Sequence, residues 1–193
     1  MKSGLIVAAC TLALAACTPD FLTQDQSEVI LRVVTIEGKA GGTGSGSGVN
    51  ALNSDVNPVF DDIATITLQA IPKNPTLNSQ GAFQDVTVER YEVHYVRSDG
   101  RGVEGVDVPF HITGNLSQTV PYGTTEAVSI DVVRHQAKLE PPLLNLRITS
   151  GFAGSGALII TCFADITLHG RTTTGAAVST NGRLQINFAD FGD

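Results

Sequence analysis

Residues 158–168 read Leu-Ile-Ile-Thr-Cys-Phe-Ala-Asp-Ile-Thr-Leu, and this stretch decides the fold. Leu158, Ile160, Cys162, Ala164, Ile166 and Leu168 fall at every second position, with Thr161, Asp165 and Thr167 between them. A helix scatters such a set around its axis, whereas a strand puts all of it on one face. The segment therefore reads as a half-buried antiparallel strand. Beyond the turn chemistry of Gly170 to Gly175, the residues Val178, Thr180, Leu184, Ile186 and Phe188 continue in one phase. A closing hairpin is expected, with Gly182 as a bulge or bend in its second strand.

Working outward, Ala64, Ile66, Leu68 and Ala70 alternate with Thr65, Thr67 and Gln69 and stop at Pro72. Tyr91, Val93 and Tyr95 form a further inward set, out of phase with Val86 and Val88, which predicts a bulge near Glu89 or Arg90. Val29, Leu31 and Val33 give an early strand, and Val128, Ile130 and Val132 a later one. Helix is confined to a turn or two over Arg134–Leu139, ended by Glu140-Pro141-Pro142. The expectation is an all-β chain folded as an antiparallel two-sheet β-sandwich with long loop insertions at Gly38–Val59, Asn74–Gln84 and Ile112–Ile148. The closing hairpin resembles the last strands of immunoglobulin-like and fibronectin-like domains, which need only about 100 residues. A jelly roll is the alternative arrangement. No fixed-period repeat and no linker divides residues 27–193, so they read as one domain.

The chain opens with Lys2, an uncharged apolar run from Leu5 to Leu14, and then small residues, the composition of an export signal. At roughly ten residues the run falls well short of the about 20 that span a bilayer. It ends in Leu14-Ala15-Ala16-Cys17, which resembles the lipobox of bacterial lipoproteins, in which the cysteine thiol is acylated and the chain is cut just before it. Val7-Ala8-Ala9-Cys10 fits more loosely and leaves too short an apolar run. The resemblance implies a signal peptide over residues 1–16, a lipidated tether over 17–26 beginning at Cys17, and a membrane partner reached through that lipid. Thr18, where an aspartate would alter sorting, implies the outer membrane. The competing reading is an ordinary secretory signal cut near Ala16.

Charge and cysteine usage bound the rest. Of 12 basic residues Lys2 leaves with the signal, so 11 stand against 19 acidic ones, a net charge near −8. No Lys/Arg cluster offers the basic stripe that nucleic acid requires. With Cys10 removed and Cys17 acylated, Cys162 has no partner for a disulfide, and in an alternating strand it reads as a small buried hydrophobe.

Chemistry-bearing motifs are weak. Gly46-Ser47-Gly48-Val49-Asn50-Ala51 fits the form of a dinucleotide-binding turn, but the following Leu52 to Pro58 is turn chemistry where a helix must begin, so no cofactor is expected. Asp55, Asn57, Asp61 and Asp62 offer oxygen ligands at short spacing, a weak calcium candidate, although Asx residues beside a proline equally suit a turn. His94, His111, His135 and His169 sit on different segments without ligand spacing, so zinc is not indicated, and His94 and His169 occupy outward phases. Tyr91, Tyr95 and Tyr122 read as core before sugar platform. No nucleophile stands beside a recognisable base. These features order three functions: a non-enzymatic envelope module that binds another envelope protein, a carbohydrate-binding or adhesive surface module, and, last, a hydrolase.

Overall fold

The structure is a computed structural model, which describes residues 27–41, 47–57, 60–74, 84–147 and 159–191. Among the described residues nine strands form: β1 Val29–Lys39, β2 Gly48–Val49, β3 Ala51–Asp55, β4 Asp62–Pro72, β5 Val86–Arg97, β6 Ile112–Val120, β7 Thr125–Val133, β8 Ile159–Thr172 and β9 Ala177–Ala189. They make a four-stranded sheet in the order β2-β1-β4-β7 and a five-stranded sheet in the order β3-β9-β8-β5-β6. The fold is the expected β-sandwich. β4 and β7 pair in one sheet while β9, β8 and β5 run side by side in the other, the placement of strands B and E against G, F and C in immunoglobulin-like sandwiches, with β6 as an added edge beyond C.

Alternation explains which strands form the core. Ile160, Cys162, Ala164, Ile166 and Leu168 of β8 are buried, as are Val178, Leu184, Ile186 and Phe188 of β9 and Ala64, Ile66, Leu68 and Ala70 of β4; Leu158 lies outside the described residues. At β5 the register with both neighbours shifts between Val88 and Arg90, so that Val86 and Val88 on one side and Tyr91, Val93 and Tyr95 on the other all face inward. A similar shift between Val33 and Thr35 hands the inward phase of β1 from Leu31 to Ile36. The Tyr95 hydroxyl donates to the Val132 carbonyl at 2.6 Å and so joins the two sheets through the core.

Three expectations are corrected. Gly182 is no bulge: β8 and β9 stay in register from Ile159 to Arg171, and a Cβ at Gly182 would lie 2.4 Å from Ile36 Cδ1. The missing side chain lets β1 seat on β9. Ile112–Ile148 is not one loop, because it holds β6, whose polar sequence hid it, as well as β7. Gly38–Val59 contains β3, which pairs parallel with β9 and makes the sandwich antiparallel in all but this edge. Within the described part of Arg134–Ile148 two short 3₁₀ turns form, His135–Leu139 and Leu143–Leu146.

Candidate functional site

Of the residues singled out from sequence, Cys17 lies outside the described residues. The acidic group near residue 60 does fold to one end of the sandwich. Asp62, wholly buried at the start of β4, accepts from the Gly41 amide at 2.9 Å and from the Ser54 hydroxyl, and its Oδ2 is 3.0 Å from Nζ of Lys138, itself 1% exposed. Lys138 arrives on the 3₁₀ turn after β7, so the cation that this carboxylate needs is supplied by the chain itself. Asp61 turns outward to His135, whose amide donates to it at 2.6 Å, and this bond holds its carboxyl below the ordinary carboxylate range. Asp55 accepts from the Asn57 amide at 2.9 Å, the Asx turn allowed for above. Asp55, Asp61 and Asp62 do not bring their oxygens together as ligands. In the dinucleotide-like segment, Ala51–Asp55 is strand rather than helix.

The outer face of the five-stranded sheet gathers what sequence spacing kept apart. Two of the four histidines, on different segments of the sequence, meet here. His94 points outward from β5, and the connection from β5 to β6 brings His111 over it, so that the two rings stack at 5.3 Å with 16° between their planes. Glu104 of that connection reaches His111 with its two oxygens 3.0 and 3.2 Å from Nδ1, and also accepts from the His111 amide at 3.2 Å. One ligand atom from each of His94, Glu104 and His111 lies within 4.8 Å of the others, the only such group among the described residues. A two-imidazole, one-carboxylate set is a borderline transition-metal donor set, not one for calcium.

The connection that carries Glu104 is internally braced. Arg97 and Arg101 bond through their backbones at 2.8 Å, the Asp107 amide donates to the Val103 carbonyl at 2.7 Å, and Val108 is buried beneath. Gly105 has φ of 73° and carries the Phe110 ring against it, so a side chain there would meet both strain and a clash. Behind His94, Glu92 lies 3.9 Å from Nε2 of His94 and 3.6 Å from Nε2 of His169.

Farther along the same sheet, where β5 bulges, a basin of about 270 Å³ is lined by Glu89, Arg90, Asn115, His169, Arg171 and Ser179, among others. Polar side chains predominate in its walls beside Ala177 and Val178, and no phenylalanine or tyrosine lines it. Of the tyrosines, Tyr91 and Tyr95 are buried and Tyr122 packs on the core. Burial pushes the Cys162 thiol up to about 12 and raises the Tyr95 phenol, so both stay protonated near neutral pH.

No protein-family model and no curated protein matches the chain. Among solved structures it is similar to one described as the X-ray structure of Northeast Structural Genomics Consortium target SoR45, at 10% identity over 84% of this chain and 86% of that one, with a TM-score of 0.34. Among the described residues no helix is long and apolar enough to cross a membrane.

Proposed function

We infer that the chain is a lipoprotein of the bacterial envelope, held at the outer membrane through Cys17, whose sandwich acts without catalysis as a binding module for another envelope protein. The observation that carries this reading is the Leu14-Ala15-Ala16-Cys17 sequence after a charged and then apolar leader, standing only ten residues ahead of Ser27, where the described body begins. Ten residues reach at most about 35 Å. The body is thereby kept close to the bilayer surface, and several acyl chains would make that attachment durable where one is marginal. Beside the β5–β6 connection, the outer face of β9-β8-β5-β6 carries Thr161, Asp165, Thr167 and Arg183, polar groups that a partner could meet.

Mass spectrometry of the protein isolated from its own membranes tests the anchor: the expected N-terminal peptide starts at an acylated Cys17, and a free thiol there, or a cut elsewhere, removes the basis of the assignment. Photo-crosslinking from Arg90 and Asn115 in intact cells tests the partner, a repeated specific protein adduct being expected. The polar basin favours a second reading, a surface module for sugars. Arg90 and Arg171 stand 3.3 and 3.7 Å from Glu92 and Glu89, and an acidic saccharide would compete with those carboxylates for them. Binding to an array of acidic glycans that is lost in Arg90→Ala supports this second reading, and an empty array removes it.

A further inference from the structure

We propose that His94, Glu104 and His111 form a zinc site that clamps the connection between β5 and β6 onto the outer face of the five-stranded sheet. The proposal does not depend on the lipid anchor or on the identity of a partner.

Three features of the geometry converge on it. First, two imidazoles from different segments stack nearly parallel beside one carboxylate, with ligand atoms within 4.8 Å of one another. Around a tetrahedral zinc ion, with bonds of about 2.0–2.2 Å, neighbouring ligand atoms stand roughly 3.3 Å apart. The remaining closure is about 1.5 Å, within reach of side-chain rotation because His94 and His111 are about half exposed. Second, the carboxylate is already fixed: Glu104 Oε1 accepts the His111 amide, and the bonded turn from Val103 to Val108 holds its backbone. Third, His94 has a carboxylate behind it. Glu92, shared with Arg90 and His169, lies 3.9 Å from its Nε2, beyond hydrogen-bond length, and a small rotation would bring it to the outer-shell position that orients ligating histidines.

The alternative, a histidine–glutamate hydrogen bond with nothing between, accounts for His111 and Glu104 but gives no role to the stacked His94. Nitrogen-rich donors favour zinc and its neighbours over calcium or magnesium, which take oxygen ligands. Three protein ligands leave a fourth position for water or for a donor from a partner.

The test uses the full-length protein with its thiols carboxamidomethylated, so that Cys10 and Cys17 do not compete for metal. Titration with zinc chloride should show one saturable equivalent, and Co(II) in its place should give the intense visible bands of a four-coordinate site. Zinc at 100 times its dissociation constant should raise Tm by about 5–10 °C. Each of His94→Ala, His111→Ala and Glu104→Gln should weaken binding at least tenfold. Glu92→Gln should weaken it less than any of these three, and the four-coordinate spectrum should persist. Since these side chains are exposed, the variants should keep the metal-free Tm. His135→Ala serves as control and should bind normally. No saturable uptake overturns the site, as does uptake that survives the three ligand substitutions.

Discussion

Two of the charge clusters among the described residues solve opposite problems. At one end of the sandwich, Asp62 and Lys138 are sealed from water, and every oxygen of that carboxylate is met by a group of the chain itself. On the outer face of the five-stranded sheet, His94, Glu104 and His111 stand in solvent with coordination to spare. A buried ion pair is costly to remove from water and fixes the arrangement around it; an exposed constellation contributes little to folding and is free to bind. The tight acidic spacing near residue 60 therefore marks structure, and the scattered histidines mark the site.

The sharpest way to break this comparison is Lys138→Met, which leaves the Asp62 charge buried without a partner and should cost about 3–5 kcal/mol in urea unfolding. Adding Asp62→Leu should recover much of that loss, since a well-packed apolar pair of similar volume is often as stable as the ion pair. If Lys138→Met alone is neutral, the buried end is not sealed as described. A smaller effect is expected from Tyr95→Phe, which removes the hydroxyl bond to Val132 and should lower stability by about 1 kcal/mol with the fold intact.

Cys162 sharpens the contrast by reactivity. Its thiol, pushed up to about 12 by burial, should resist iodoacetamide at pH 8 in the folded protein and react at once in denaturant, as read by peptide mapping. The smallest effect concerns Asp61 at the exposed rim of the buried end. Because its folded pKa is lowered from the ordinary 3.8, its contribution is present above about pH 4 and is lost as pH falls through the lower folded value. Asp61→Asn should therefore lower stability slightly above about pH 4, flatten the acid limb, and change little below the folded pKa of Asp61.

Legibility in the sequence followed burial. β4, β5, β8 and β9 face a core on one side and something polar on the other, so their alternation is strict, and even the β5 bulge shows as a slipped phase between Val88 and Tyr91. β6 is an edge whose middle residues are only half buried, and Gly114 sits where the Tyr91 ring fills its space, so no periodic signal marks it. β3 is short and its pairing with β9 is parallel, a contact at long sequence separation that no local pattern encodes. The same limit applied to the sites. Four oxygen-bearing residues were visible as a cluster, but the cation that answers Asp62 arrives from Lys138 on the far side of four strands, β4 to β7. His94 and His111 show no ligand spacing because a folded connection, not a helix turn, places one above the other.

The first strand deserves a mechanical reading. β1 is hydrogen-bonded to β4 from Val29 to Lys39, apart from the slip beside Val33, and the same segment continues through β2 into β3, which is bonded to the opposite sheet. Under the proposed anchoring, tension from the bilayer enters at Ser27 and runs along the axis of β1. The rungs between β1 and β4 lie across that direction and share the load in shear, so the strand resists being unzipped rung by rung. Such a leash would be sewn into both layers of the body, through β4 in one sheet and β9 in the other.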